Sequence, residues 1–307
     1  MKAAAVFLLS IAISVAAAAQ PVGTAQLQIA DGSGSFTLAG GVGREAKPIK
    51  VFYHKPGTFT PRSPVLIVVP GAGRNAWTYR DAWVEASEEH GVLILAPSYA
   101  EDYYPEFWSY NLAGMITDVE VNQAATPTVR FRIVGNPNAW IFSDFDRLFM
   151  EVKQHLGLES STYDMFGHSA GGQLLHRLVL FHPGSMANRV IAANSGWYTV
   201  PTFDDEFPYG LANSPLTPAT IAAAFRAHLV VFLGERDDEN EVRGDLVRTP
   251  EVDVQGISRI ERGKYFYNKA VQTAAELGIE LDWKLEVVPD VGHDVERMSA
   301  AAAAYLY

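Results

Sequence analysis

The sequence predicts an α/β fold: a mostly parallel, twisted sheet with helices on both faces and antiparallel strands at its N-terminal edge. Residues 64–70 and 92–96 are continuous apolar runs, which are typical of strands covered on both faces. A glycine loop and a helical pattern separate these runs, so they form a strand–helix–strand unit. Residues 163–172 repeat the order of buried strand, tight turn and helix. We therefore expect the turns that follow the strands to meet at one edge of the sheet.

The first half of the chain supplies the edge strands and the first parallel unit. Residues 20–46 are rich in Gly and Thr with short apolar alternations, which favours one or two antiparallel edge strands. The elements expected next are strands at 49–54, 64–70 and 92–96, and a helix at 77–90 that is ended by Gly91. Residues 98–137 form an aromatic-rich insert, in which a Val- and Thr-rich part at 119–134 predicts a small hairpin outside the main sheet.

The second half continues the alternation of helices and strands. A helix is expected from Asn138 to residue 156, where Gly157 ends it. The remaining elements are strands at 163–168, 189–194, 229–233 and 283–288, helices at 173–180 and 263–278, and a closing Ala-rich helix. No segment has the composition of a linker, so residues 20–307 are expected to form a single domain.

Composition and charge exclude several classes of function. The 307 residues are 48% hydrophobic, which is enough for a large core. The formal net charge is −11 and there is no basic stripe, which argues against partners such as nucleic acid or an anionic membrane. The chain has no cysteine, so disulfides, thiol catalysis and cysteine-ligated metals are excluded.

The first 19 residues have the features of a secretory signal peptide. Lys2 precedes an apolar run at 3–15, and the small residues at 17–19 suit a signal peptidase. Cleavage near Ala19 predicts a secreted or periplasmic protein with no membrane attachment. The alternative is an uncleaved membrane anchor, which a run this short and Ala-rich disfavours.

The turn after the strand at 163–168 reads Gly167-His168-Ser169-Ala170-Gly171. A serine at the apex of such a strand–turn–helix unit is held in a strained backbone conformation that exposes its hydroxyl. The helix that follows points its first N–H groups at charge that develops there. The same pattern also occurs by chance as a simple glycine-rich turn, so its functional interpretation depends on partners elsewhere in the chain.

Ser169, Asp237 and His293 each follow a separate predicted strand, in that order. A hydroxyl is a poor nucleophile at neutral pH and needs a base, and the base needs a partner that fixes its tautomer. His293 is suited to the base and Asp237 to the partner. Asp238 is the alternative acid. The acidic run at 235–239 could instead be a solvated loop or a calcium site, although it lacks the spacing of a known calcium loop.

Two backbone N–H groups are needed to stabilise an oxyanion beside the serine. Ala170 is expected to supply one and Ala72 the other, with Gly73 as the alternative. The loop at 71–74 could also suggest a phosphate cradle, but it lacks the residues of a nucleotide site. The expected substrate pocket includes Gly73, His168, Trp108, Trp197 and Tyr198, and neither a metal nor a cofactor is expected.

With these parts, nearly all of residues 20–307 resembles the α/β-hydrolase fold. The resemblance rests on the elbow at 167–171, on Asp237 and on the string Val-Gly-His-Asp at 291–294. The strand that ends in Pro-Gly at 70–71 and the Gly-His-Ser-Ala-Gly-Gly form of the elbow resemble the polyhydroxybutyrate-depolymerase-like and feruloyl-esterase-like branch of secreted bacterial serine esterases.

The chain also departs from that branch. Many members have His-Gly where this chain has Pro70-Gly71, members of the depolymerase branch often have disulfides, and polymer-degrading relatives often carry a separate polymer-binding domain. These differences favour a soluble ester or small oligomer as substrate. The resemblance implies a secreted serine hydrolase that cleaves carboxylic esters through an acyl-enzyme. The alternatives are a peptidase or amidase with the same machinery, or a non-catalytic binding protein that retains the scaffold.

Overall fold

The computed structural model describes residues 27–122 and 128–307, so the predicted signal peptide and its cleavage point lie outside the described residues. The strands in this part of the chain are β1 (Gly32–Leu38), β2 (Ile49–Lys55), β3 (Val65–Val69), β4 (Leu93–Ser98), β5 (Ile116–Asn122), β6 (Thr128–Ile133), β7 (Tyr163–His168), β8 (Ala187–Ala193), β9 (His228–Gly234) and β10 (Lys284–Val288). The helices are α1 (Ala76–Asp81), α2 (Val84–His90), α3 (Phe107–Tyr110), α4 (Phe142–Leu156), α5 (Ala170–Phe181), α6 (Ile221–Phe225), α7 (Pro250–Asp253), α8 (Arg259–Leu277) and α9 (Val295–Leu306).

Eight of the described strands form one sheet, in the order β1-β2-β4-β3-β7-β8-β9-β10. The strands from β4 through β3 to β10 are parallel, whereas β1 and β2 are antiparallel at the N-terminal edge. The prediction of a mostly parallel sheet with antiparallel N-terminal strands is therefore confirmed. In this order, the strands that precede Ser169, Asp237 and His293 are β7, β9 and β10, which lie within four neighbouring positions of the sheet.

The central strands are apolar throughout because helices cover both faces of the sheet. In β3, Val65, Ile67 and Val69 belong to a core shared with α4, α5 and α8, whereas Leu66 and Val68 belong to a second core shared with α1 and α9. Each residue of β3 is buried, as expected for a strand without a solvent face. The two cores pack against both faces of the sheet. The loops at its carboxyl edge are therefore anchored where the strands end.

The prediction of a single helix at 77–90 is wrong, because the structure has two helices there, α1 and α2. The break leaves Trp83 with a φ of −111° and a ψ of 0°, outside the helical region. Its side chain is fully buried, and its ring lies 5.2 Å from that of Phe166 in β7. The free energy gained by burying this large indole against the sheet exceeds the cost of interrupting the helix for two residues.

Two other element boundaries differ from the prediction. The helix expected from Asn138 begins later, at Phe142, because residues 137–139 form a short 3₁₀ turn capped by the Asn136 side chain. The short alternation at 25–29 is not a strand over its described part, residues 27–29, and the edge strand is β1 instead. The predicted hairpin at 119–134 is confirmed, since β5 and β6 form a separate two-stranded sheet. None of the helices in the described ranges combines the length and the apolar character that crossing a bilayer requires.

Candidate active site

Ser169 occupies a strained turn between β7 and α5. Its φ of 59° and ψ of −118° are unusual for a residue with a side chain. Its backbone N–H donates to the Ala193 carbonyl at 2.9 Å, which ties the turn to β8. A Cβ added to Gly171 would lie 2.1 Å from the Val69 carbonyl oxygen, and one added to Gly167 would lie 2.5 Å from the Gly171 carbonyl oxygen. Both positions therefore require glycine for α5 to pack this closely on the sheet.

Gly171→Ala is expected to lower the free energy of unfolding by about 3 kcal/mol, because the added methyl group meets backbone that cannot move away without separating α5 from β3. Gly184→Ala is the matched control. Gly184 is exposed, and no atom lies within 4 Å of an added Cβ. Its effect should stay within about 0.5 kcal/mol. Urea unfolding measures both values, and equal midpoints for the two variants would contradict the packing argument.

His293 and Asp237 form a short, buried pair. Nδ1 of His293 lies 2.7 Å from Oδ2 of Asp237, and the Asp237 residue is fully buried. Asp238 is half-buried and its carboxylate accepts a hydrogen bond from the Asn240 N–H at 2.9 Å. The structure thus brings Asp237, and not Asp238, to the imidazole. No group of three or more His, Asp or Glu side chains in the described ranges is arranged to hold a metal ion.

The imidazole of His293 lies beside the serine turn. Its ring centroid is 4.5 Å from that of His168, the residue immediately before Ser169. The hydrogen bonds of the described residues include none between the Ser169 hydroxyl and Nε2 of His293. Both groups remain available for a substrate, and hydrogen bonds of this kind often tighten only when a substrate is present.

His168 is buried under the site and does not form an open pocket wall. Its Nδ1 lies 3.3 Å from the Tyr79 hydroxyl, whereas its Nε2 has no hydrogen-bond partner among the described residues. Burial first and the adjacent His293 second hold the pKa of His168 well below its usual value. His168 is therefore neutral at physiological pH. Burial also raises the pKa of Tyr79 to about 12, so its hydroxyl keeps its proton.

One buried asparagine connects the loops that carry Asp237 and His293. Asn194 directly follows β8, is fully buried and has a φ of 46°. Its Oδ1 accepts the Gly234 N–H at 2.7 Å, and its Nδ2 donates to the Gly292 carbonyl at 3.1 Å. Gly234 ends β9 just before Asp237, and Gly292 precedes His293. The separation of the two loops is thus fixed by a side chain from the strand between β7 and β9.

The two expected oxyanion donors belong to the start of α5 and to the loop after β3. Ala170 is the first residue of α5, where N–H groups have no acceptor within the helix. The loop after β3 forms a turn closed by the Arg74 N–H and the Gly71 carbonyl at 3.1 Å, a bond that uses neither the Ala72 nor the Gly73 N–H. A Cβ on Gly71 would lie 3.4 Å from Cβ of Ser169, so this loop contacts the serine turn.

The aromatic residues assigned to the pocket have different surroundings. Trp197 is nearly buried and stacks on Phe107 at 6.1 Å, and Phe107 is 41% exposed. Trp108 is half-buried beside Phe107. Tyr198 lies in the core instead, because its ring stacks on Phe266 at 4.5 Å and is fully buried. The structure therefore brings Phe107, which the sequence analysis did not select, to the accessible side of Trp197.

Two charged residues that the sequence analysis missed contact the acid–base pair. Arg259 donates from Nη1 to Oδ1 of Asp237 at 3.1 Å, and Glu241 accepts the His293 backbone N–H at 2.7 Å. Ser258 and Glu261 form a capping box that starts α8 directly before Arg259. That Ser-x-x-Glu pattern is visible in the sequence and would have moved the start of the helix from Gly263 to Arg259.

No protein-family model matches this chain, and no curated protein matches it. Among solved structures, it is 36% identical to poly(aspartic acid) hydrolase-1 from Sphingomonas sp. KT-1, with a TM-score of 0.79 and coverage of 90% of this chain and 98% of that chain. It is 30% identical to LpqC, a poly(3-hydroxybutyrate) depolymerase from Bordetella parapertussis, with a TM-score of 0.80 and coverage of 91% and 90%. The siderophore hydrolase EstA from Aspergillus nidulans is 14% identical at a TM-score of 0.53, with coverage of 90% and 94%, and shares the fold alone.

Proposed function

We propose that this chain, which belongs to the polyhydroxybutyrate-depolymerase-like branch of the α/β-hydrolases, is a serine hydrolase that cleaves carboxylic esters through an acyl-enzyme. The observation that carries the proposal is the buried His293–Asp237 pair, at 2.7 Å, next to a serine held at a φ of 59°. A nucleophile, a base and an acid that orients the base are the parts that acyl transfer requires. We place this activity outside the cytoplasm because residues 1–19 have the features of a signal peptide.

In the first half-reaction, Oγ of Ser169 attacks the ester carbonyl carbon while Nε2 of His293 takes the hydroxyl proton. The carbonyl oxygen becomes an oxyanion, which accepts hydrogen bonds from the Ala170 and Ala72 N–H groups. His293 then returns the proton to the leaving alcohol as the carbon–oxygen bond breaks. The acyl group remains on Ser169.

In the second half-reaction, a water molecule attacks the acyl-enzyme while His293 takes a proton from it. The second oxyanion collapses, the proton passes back to Oγ of Ser169 and the carboxylic acid leaves. Asp237 keeps its charge throughout and stabilises the imidazolium that forms in each half. Phe107, Trp108 and Trp197 are the residues that we assign to the wall facing the substrate.

A second candidate is the hydrolysis of amide bonds in an acidic polymer, which the 36% identity to a poly(aspartic acid) hydrolase favours. The charges around the site favour a neutral ester instead. Arg236 pairs with Asp290 at 3.0 Å, and Arg243 pairs with Glu241 and with Asp294. These cations are already neutralised, and the whole chain has a net charge of −11, so a polyanion would gain little attraction.

The test is a substrate panel at equal enzyme concentration: 4-nitrophenyl esters of increasing acyl length, a feruloyl ester, hydroxybutyrate oligomers and poly(aspartic acid). We expect hydrolysis of the esters and of the hydroxybutyrate oligomers, and none of poly(aspartic acid), because the first two carry at most one terminal carboxylate whereas poly(aspartic acid) carries one on every residue. Release of amine from poly(aspartic acid) at a rate equal to the ester rate would transfer the assignment to the amide reaction. The Ser169→Ala variant supplies the background rate.

A further inference from the structure

Arg259 joins the acid of the site to a loop segment that lies over the base. Its guanidinium donates from Nη1 to Oδ1 of Asp237 at 3.1 Å, and from Nη2 to the carbonyls of Gly244 and Asp245 at 3.0 and 3.1 Å. The side chains of Arg259 and Asp237 are 3% and 1% exposed, so the bond between them forms away from competing water. Asp237 therefore has one oxygen fixed by Arg259 and the other left for His293.

The position of Arg259 is itself fixed by the start of α8. It is the first residue of this helix, directly after the capping box. The next residue, Ile260, donates its backbone N–H to the Asp237 carbonyl at 3.2 Å. The first turn of α8 thus holds both the backbone and the side chain of Asp237.

The segment of residues 241–245 contacts His293 at two places. Oε2 of Glu241 accepts the His293 backbone N–H at 2.7 Å. Gly244 has a φ of 68°, and a Cβ added there would lie 3.1 Å from Cδ2 and 3.2 Å from Nε2 of the His293 ring. A hydrogen bond from Arg243 lowers the pKa of Glu241 to about 2, so Glu241 is a charged acceptor at any working pH.

Apolar burial does not hold this segment in place. Val242 is 93% exposed, and the residues from 242 to 245 all face solvent. Polar contacts fix segment 241–245 against the imidazole instead: those of Glu241 and Arg259, together with the ion pair between Arg243 and Asp294 at 3.0 Å. A loop held in this way would move freely if those contacts were lost.

We infer that Arg259 and Glu241 are positioning residues that hold segment 241–245 against His293, and that Arg259 also fixes Asp237 in the orientation that faces the imidazole. The inference rests on the proposed serine-hydrolase function, because it assigns these residues a role through His293. If so, the orientation of His293 Nε2 toward the substrate depends on the Arg259 guanidinium, which does not itself contact the substrate.

Arg259→Lys tests the inference. Lysine keeps a positive charge beside Asp237, but its ammonium group lacks the planar fork with which Arg259 donates to three oxygens. We expect kcat, counted per site titrated with a fluorophosphonate, to fall about 10- to 100-fold while KM stays within about twofold. A purely structural role would reduce the number of titratable sites and leave kcat per site unchanged. Unchanged kcat per site would overturn the inference.

Arg189→Lys is the matched control. Arg189 also binds a carboxylate, that of Asp164, from Nε to Oδ1 at 3.0 Å and from Nη2 to Oδ2 at 2.5 Å, near the start of β8 and away from the site. We expect its kcat per site to match the wild type. An equal fall in both variants would show a general effect of losing an arginine–carboxylate contact, and would also overturn the inference.

Glu241→Ala provides a second route if Arg259→Lys does not fold. Removal of the acceptor for the His293 N–H should lower kcat per site by a similar factor, and the double variant should lose less than the product of the two single losses. Wild-type kcat in Glu241→Ala would overturn its assigned role. A wild-type protein that neither hydrolyses esters nor labels at Ser169 would instead refute the proposed function, whatever the variants do.

Discussion

Ser169→Ala is expected to lower ester hydrolysis by a factor of about 10⁴ to 10⁶ and to abolish labelling by a fluorophosphonate. The reason is chemical, because alanine has no oxygen to form the acyl-enzyme. The fold should be unaffected. The Ser169 hydroxyl makes no hydrogen bond among the described residues, and alanine tolerates the backbone of the turn no worse than serine does. The thermal midpoint should therefore stay close to that of the wild type.

Ser195→Ala is the control for this experiment. Ser195 also follows a strand of the same sheet, is fully buried and has a hydroxyl without a partner in the described part of the chain. It should keep both its turnover and its labelling, since its hydroxyl is fully buried and no hydrogen bond among the described residues joins it to an imidazole. Labelling that persists in Ser169→Ala and disappears in Ser195→Ala would move the nucleophile to Ser195.

Asp237→Asn is expected to lower kcat by about 10⁴-fold, whereas Asp238→Asn should keep nearly the wild-type rate. An amide at position 237 cannot stabilise the imidazolium of His293 by charge, and its N–H₂ group would favour the wrong tautomer of the imidazole. Within the described residues, the Asp238 carboxylate accepts a hydrogen bond from its own loop alone, from the Asn240 N–H. The two substitutions remove the same formal charge one residue apart, so their comparison separates the orienting role from a general electrostatic effect.

The measurement is kcat per folded molecule, at a temperature where circular dichroism shows both variants folded, because loss of the orienting carboxylate would also slow the reaction of Ser169 with a fluorophosphonate. Asp237→Asn should also unfold more easily, because Arg259 then keeps a buried charge without its carboxylate partner; the loss of such a partner typically costs about 3–5 kcal/mol. A large loss of kcat in Asp238→Asn together with normal turnover in Asp237→Asn would reassign the acid.

The sequence predicted the α/β-hydrolase fold because its strongest signals are physically simple. A strand such as β3 is buried on both faces, so its apolar run is unbroken, and the elbow at Ser169 combines a strand, glycines and a helix within a few residues. The fold and the membership of the depolymerase-like branch are confirmed. The roles assigned to Ser169, Asp237 and His293 remain predictions that the variants above test.

The parts that could not be predicted depend on contacts between distant segments. Trp83 interrupts a helix pattern because the sheet offers it a buried place, and no local signal reports that place. Tyr198 follows Trp197 directly, but it turns into the core where Phe266 stacks on it. Arg259 is 22 residues from Asp237 in sequence, and the two side chains meet only in the folded chain. The residues around Arg259 predict a helix and give no sign of this contact.

The side chain of Asn194 has a consequence for which parts of the insert at 98–137 can be exchanged. From the end of β8 it links the Gly234 N–H to the Gly292 carbonyl, so the spacing of the loops that carry Asp237 and His293 is set without the insert. The β5–β6 part of the insert forms its own small sheet. That hairpin can therefore be exchanged without moving these two loops, whereas Tyr110 of the same insert must stay, because its buried hydroxyl donates to the Pro70 carbonyl at 2.6 Å.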